Sequence, residues 1–137
     1  MVLIFGGAYQ GKLDFAKDRF SLGEDEIYTF PESAETESFT RVNGEDHPIY
    51  NYKCVNKLHR LFLTLIQNGQ YPVPFIEKNL SKWRDKIVIC GDISSGVVPL
   101  DPCLRQWREE TGRSLVLLSQ RSDEVYRVFC GIGTRLK

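Results

Sequence analysis

Lys12 closes a G-x-x-x-x-G-K run that begins at Gly6, within Phe5-Gly6-Gly7-Ala8-Tyr9-Gln10-Gly11-Lys12-Leu13. That spacing suits phosphate chemistry. Glycines let a backbone turn tightly, in places at positive φ, and keep side chains out of the way of an approaching oxygen. A loop that leaves a strand and enters a helix gathers several N–H groups and the positive helix end at one spot, which attracts phosphate. Gly6, Gly7, Ala8 and Gly11 would form that cradle, and the Lys12 ammonium would reach the terminal phosphates as a point charge. Leu13 breaks the pattern. A Ser or Thr hydroxyl usually follows such a lysine, ligating Mg²⁺ and bonding a phosphate oxygen. Leucine does neither and is expected to turn into the core. Binding can survive on the amides and Lys12, whereas phosphoryl transfer suffers more, because there the metal neutralises developing charge. The competing reading is a structural glycine turn, holding an anion or nothing, with Tyr9 filling the nest.

Asp92 is the carboxylate best placed to organise a metal ion. It follows the apolar run Ile87-Val88-Ile89-Cys90 and Gly91, and ligands of open α/β sheets gather at the C-terminal ends of such strands. Its catalytic and metal roles stand beside a plainer one, a cap on the following turn. His59 has charged neighbours and reads as a solvated helix residue, and His47 as a loop residue. Arg105, Arg108 and Arg113 share a charged helix face that either binds an anion or is simply solvated. Cys54, Cys90, Cys103 and Cys130 form no C-x-x-C pair, so a structural metal site is not expected. Cys90 and Cys130 sit in apolar runs and read as buried thiols.

The elements that must position these residues follow from hydrophobic patterning. Val2 to Phe5 is continuously apolar, as in a strand buried on both faces. A helix is predicted over 12–20, closing near Gly23, and a strand over 26–30, stopped by Pro31. Residues 31–50 are polar and read as a long surface segment. Val55, Leu58, Leu61, Phe62, Leu65 and Ile66 make a helical stripe. A shorter helix is predicted over 74–84, a strand over 86–90 and a helix over 101–119, with Leu104, Trp107 and Leu115 to Leu118 as core candidates. A strand over 124–130 turns at Gly131-Ile132-Gly133, and 134–137 returns as an antiparallel edge. Strands alternating with helices predict an α/β fold with a mainly parallel sheet.

The chain's 137 residues suit one compact domain, 1–137. Eighteen Lys and Arg balance eighteen Asp and Glu, which gives no reason to expect nucleic-acid binding. No stretch nears the ~20 apolar residues of a membrane span, and Met1 to Phe5 is too short for a signal peptide. A cytoplasmic protein with no membrane partner is expected.

The second half carries a resemblance. Gly91-Asp92-Ile93-Ser94-Ser95-Gly96-Val97-Val98-Pro99 and then Arg105, Arg108, Gly112 and Arg113 fall in step with an E-V-G-x-G-I-V-P segment and an R-x-x-R-D-x-x-G-R helix. Ser122-Asp123-Glu124-Val125 matches A-D-E-V, and the chain closes on Gly131-Ile132-Gly133 and Lys137, like S-G-I-P-x-x-x-K. Together with Gly6-Gly7-Ala8 and Gly11-Lys12, like G-G-A-R-S-G-K-S, these motifs resemble the adenosylcobinamide kinase / adenosylcobinamide-phosphate guanylyltransferase family of cobalamin synthesis. The resemblance covers the start and the end of the chain. It implies a phosphate-loop NTPase-like fold, ATP or GTP as cofactor, a corrinoid alcohol as phosphoryl acceptor, and a homo-oligomer. In that family a histidine in E-x-x-x-R-I-x-x-H carries GMP. The matching run Glu37 to Glu45 ends on glutamate, with His47 two residues on, so guanylyl transfer is not implied. Tyr9 and Gln10 replace the family's loop Arg and Ser, and Leu115-Val116 its Asn-Gln. The middle is shorter and looks to lack the central strand with its acidic end. Two readings follow: a short divergent kinase using Lys12 and Asp92, or a catalytically silent nucleotide-binding or regulatory protein.

Overall fold

The computed structural model describes residues 1–32 and 48–137. Six strands form one sheet in the order β2-β3-β4-β1-β5-β6. They are β1 (Val2–Gly6), β2 (Ile27–Thr29), β3 (Cys54–Asn56), β4 (Ile87–Gly91), β5 (Glu124–Phe129) and β6 (Ile132–Arg135). The first five run parallel, and β6 pairs antiparallel with β5 as an edge hairpin. The helices are α1 (Lys12–Phe20), α2 (Leu58–Gln67), α3 (Pro72–Lys78), α4 (Leu80–Trp83) and α5 (Pro102–Arg121). The fold is therefore α/β with a mostly parallel sheet flanked by helices. Among the described residues, no helix is long and apolar enough to cross a membrane.

Alternation along the strands gives each sheet face its own core. Leu3, Val55, Val88, Cys90 and Val125 face α2, α3 and α5, whose Leu58, Leu61, Phe62, Leu65, Phe75, Ile76 and Leu118 cover them. Ile4, Cys54, Ile87, Ile89, Tyr126 and Val128 face the other way, towards Ala16, Leu13, Phe15 and Phe20 of α1. The central strands β1 and β4 are buried on both faces, which is why they read as unbroken apolar runs.

Helix ends follow local chemistry. Asp101 caps α5, its carboxylate accepting the Leu104 N–H at 2.9 Å, and Pro102 supplies the first helical position. α1 begins directly from Gly11 at φ 78 and ends at Ser21 at φ 50, two residues before the Gly23 expected to close it.

Two elements differ from the sequence reading. Val55 lies on strand β3 rather than on the helical stripe, which starts at Leu58. The pattern ran through both because Cys54, Val55 and Asn56 are all buried, and a fully buried three-residue strand has no period of its own. β3, which the sequence reading did not place, ends on an amide, Asn56. The 74–84 helix is two pieces, α3 and α4, broken at Asn79, whose side chain donates to the Phe75 carbonyl at 2.9 Å.

The topology creates a crevice. β1 and β4 are neighbours, with Gly6 beside Gly91 at their C-terminal ends. From β1 the chain leaves through α1 to β2, and from β4 it leaves through α5 to β5 on the opposite side of β1. Adjacent strands whose connections part in opposite directions open a cleft at their C-terminal edge, where ligands of such sheets bind.

Candidate functional site

The Gly6–Lys12 loop stands at this crevice. Gly6 has φ 156, and a Cβ there would lie 2.3 Å from the Val128 carbonyl oxygen, so no side chain fits between loop and β5. Gly11 and Gly131 both sit at φ 78, and a Cβ on Gly11 would come within 3.2 Å of the Gly131 Cα. The two glycines let the loop rest against the β5–β6 turn. Gln10 fastens the contact twice. Its side-chain oxygen accepts the Cys130 N–H at 2.7 Å, and its carbonyl accepts the Gly131 N–H at 3.0 Å. Gln10 is thus a clamp on the loop.

Lys12 folds back over the loop, its ammonium donating to the Gly7 carbonyl at 2.5 Å. Burial lowers its pKa; Cys90 and Asp92 oppose this, and Lys57 adds to it. A half-desolvated ammonium is better satisfied by an anion than by one carbonyl. Leu13 turns towards the α1 core as expected, packing with the Ile4 and Ile89 cluster. Tyr9 does not fill the nest. It sits at φ 56 with its side chain fully exposed.

A cavity of about 450 Å³ opens in front of the loop, within the usual size range of small-molecule sites. Ala8 to Asp14 line one part, and Asn56, Lys57, His59 and Arg60 line another, with Gly91, Ile93 and Trp107 between. The start of α2 therefore belongs to the site. His59 is a correction, since it is not a solvated helix residue. Its Nδ1 accepts the Gly91 N–H at 3.0 Å, and its ring stacks on Trp107 with centroids 6.1 Å apart. Trp107 donates its Nε1–H to the His59 carbonyl at 2.6 Å. Glycine at position 91 is required here, because a Cβ would meet the imidazole at 2.9 Å. Burial, with help from Arg60, Lys12 and Lys57, pushes the His59 pKa down to about 4. The ring is neutral at pH 7, and because Nδ1 accepts, Nε2 carries the proton as a donor.

Arg60 lies over the Trp107 ring at 5.6 Å. Lys57 and Arg60 each pair with one carboxylate oxygen of Glu32, and both lower the Glu32 pKa. Lys12 from the loop, and Lys57 and Arg60 from the start of α2, thus converge on one cavity, whose lining carboxylates among the described residues are Glu32 and Asp14.

Asp92 stands next to the crevice, its N–H donating to the Gly6 carbonyl at 2.8 Å. Its Oδ1 accepts the Ser94 N–H at 3.0 Å and the Ser94 hydroxyl at 2.5 Å. That is the turn-capping role given as the plainer reading. Among the described residues, no group of three or more His, Cys, Asp or Glu is arranged to hold a metal ion. With Leu13 packed against the α1 core, Asn56 ending β3 and Asp92 Oδ1 engaged, the described residues do not fit a protein-held Mg²⁺.

The α5 arginines are largely engaged at home. Arg105 and Arg108 donate to the Pro99 and Gly96 carbonyls at 3.3 and 2.8 Å, and Arg113 pairs with Glu109 and Glu110. They tie the segment after β4 to the helix. Leu104, expected in the core, is exposed, as is Val116. Cys90 is buried as expected, and burial pushes its thiol up to about 12. Cys130 is exposed, because it sits at φ 49 in the hairpin turn rather than within β5. The Glu37–Glu45 run and His47 lie outside the described residues.

The sequence reading missed Lys57, His59 and Arg60. The available signal was Cys54-Val55-Asn56 followed by Lys57-Leu58-His59-Arg60, a buried strand running into a basic helix start. No protein-family model and no curated protein matches the chain. The resemblance above therefore rests on its motifs alone.

Proposed function

We propose that this protein binds a nucleoside triphosphate, ATP or GTP, with the polyphosphate in the Gly6–Gly11 cradle and against Lys12. One observation carries the reading. The glycine loop leaves β1 at the crevice and brings a half-buried ammonium into a cavity whose far residues add Lys57, Arg60 and a neutral histidine donor. Three cations at one cavity of a chain with no net charge favour an anionic ligand.

The motifs imply transfer of the terminal phosphoryl group to a cobinamide-type alcohol. In that reaction the bond to the leaving phosphate oxygen breaks, a bond to the alcohol oxygen forms, and the alcohol gives up its proton. Lys12 would steady the transferring group, and Asp92, at the C-terminal end of β4, is the carboxylate proposed to assist it. The residues favour binding over transfer. Leu13 offers no oxygen, β3 ends on an amide, and Asp92 is held by Ser94. A catalytically silent, nucleotide-binding or regulatory protein is the better-supported form of the proposal. The homo-oligomer that the resemblance implies is part of the same proposal.

Calorimetric titration of ATP and GTP, each with and without Mg²⁺, tests the proposal. Wild type should bind, and Lys12→Ala should weaken binding about 10- to 100-fold, the worth of a charge-assisted hydrogen bond. No binding of either nucleotide under any condition overturns it. Lys12-dependent, ATP-driven phosphorylation of adenosylcobinamide would establish the kinase form instead of the silent one.

A further inference from the structure

The ion pairs at Glu32 bear on what else the cavity takes. Glu32 follows β2 and is itself well exposed, yet each of its carboxylate oxygens meets a different cation, Lys57 Nζ and Arg60 Nη2. The cations are held more firmly than the carboxylate. Arg60 lies over Trp107, and its buried Nε–H has no acceptor among the described residues. Such a guanidinium presents a fixed donor set to whatever anion arrives. A second cavity of about 280 Å³, lined by Phe30, Pro31, Leu63, Thr64 and Gln67, lies against the same pair, and Glu32 and Arg60 line both cavities. The Glu32–Arg60 contact is therefore the partition between them.

We propose that Lys57 and Arg60 form a second anion position, held in this structure by the Glu32 carboxylate, and that the protein's second ligand carries a phosphate or carboxylate group that displaces Glu32. The inference rests on the reading of this cavity as the ligand site. Exposed ion pairs contribute little, so Glu32 is easily exchanged for a ligand oxyanion that also satisfies the Arg60 Nε–H. Once Glu32 swings out, the two cavities join. The ligand's remaining part then has Phe30, Pro31 and Leu63 for apolar contact and Thr64 and Gln67 for hydrogen bonds. The second ligand is thus an anion with a half-apolar body.

The test uses the full chain and the change in its tryptophan fluorescence, of whose two emitters Trp107 alone lines the cavity, with inorganic phosphate and, in a parallel arm at equal ionic strength, acetate as probes. Glu32→Gln should tighten phosphate binding about fivefold, since it removes the competing charge but not the side chain's bulk. Arg60→Ala should weaken it at least tenfold. The Glu32→Gln gain should persist in Lys12→Ala, which lacks the loop cation. A gain with acetate as well assigns a carboxylate-bearing ligand class, and a gain with phosphate alone assigns a phosphate-bearing one. Unchanged or weaker phosphate binding in Glu32→Gln overturns the inference. If Lys12→Ala also abolishes binding in that case, the loop reading survives alone. If Lys12→Ala binds like wild type while Glu32→Gln tightens, the second position stands and the loop reading falls. Glu32 is exposed, so Glu32→Gln keeps the fold and decides the matter even if Arg60→Ala does not fold.

Discussion

The neutral imidazole of His59 should make this protein acid-sensitive in a specific window. Its Nδ1 accepts the Gly91 N–H at 3.0 Å, a bond that a protonated ring cannot accept. Burial is the main cause of its low pKa, Arg60, Lys12 and Lys57 add to it, and Glu32 opposes. The folded value is about 4, against about 6.5 for an unfolded histidine. Between these values the unfolded chain binds more protons than the folded one. The stabilisation is therefore present at pH 7 and is lost as the pH falls from 6.5 towards 4. Integrating the proton linkage for these two values gives a loss of about 2 kcal/mol between pH 7 and pH 5, rising to about 3 kcal/mol at pH 4. That is a visible part of the ~5–15 kcal/mol that a domain of this size has. Urea unfolding at pH 7, 6 and 5 measures it. The control is His59→Asn, whose amide oxygen can take the Nδ1 position and accept from Gly91 without titrating. Carboxylates elsewhere titrate alike in both proteins, so the difference between the two curves isolates His59. Wild type should lose about 2 kcal/mol more than the variant between pH 7 and 5. Parallel losses in the two proteins would refute the buried, neutral, hydrogen-bonded histidine.

Other consequences are as specific. Gly133→Ala would place a Cβ 2.1 Å from the Phe15 ring, so chemical denaturation should show a loss of about 1–3 kcal/mol from overpacking. Gln10→Ala removes the bond to the Cys130 N–H and should cost about 1 kcal/mol, with faster hydrogen exchange at that amide and at Gly131; unchanged exchange there would show that the clamp is not what holds the loop. Leu13→Ser should lower stability by about 1–2 kcal/mol, since half a leucine's burial is lost, while nucleotide affinity becomes Mg²⁺-dependent in calorimetry. Affinity that stays indifferent to Mg²⁺ would mean that one hydroxyl does not restore the metal's place.

Patterning revealed the elements whose signals are local. α1 runs from Lys12 to Phe20 as its apolar spacing and glycine start predict, and the continuous runs of β1 and β4 identified the central strands. The antiparallel edge was legible too, but the turn is Cys130-Gly131, and Ile132 and Gly133, expected in the turn, lie on β6. What the sequence hid is non-local. β3 is three residues long and buried on both faces, so it merged with the stripe of α2. Once Val55 was placed on the helix, Lys57, His59 and Arg60 fell on an unremarked helix surface instead of at a strand's C-terminal end. Gln10 illustrates a second kind of blindness. In sequence it is a departure from a motif, but its partners, Cys130 and Gly131, are over a hundred positions away. No local rule links them.

That long-range clamp bears on how the cradle works. A glycine loop with no side-chain restraint samples many conformations, and a ligand that orders it forfeits part of its binding energy to that ordering. Here the order comes from the fold. Gly6 is pressed against the Val128 carbonyl, Gly11 against Gly131, and Gln10 holds the hairpin turn at two points. If the loop is the phosphate cradle proposed above, its backbone is held in place without a ligand, with Lys12 resting on the Gly7 carbonyl. Pre-organisation of this kind raises affinity without adding a contact, and it does not depend on a metal-ligating hydroxyl at position 13. The absence of a hydroxyl at position 13 and the Gln10 clamp therefore act in the same direction. On the proposed reading they would favour holding a nucleotide over turning it over, and a chain with serine at position 13 but without the Gln10 clamp should show the opposite balance.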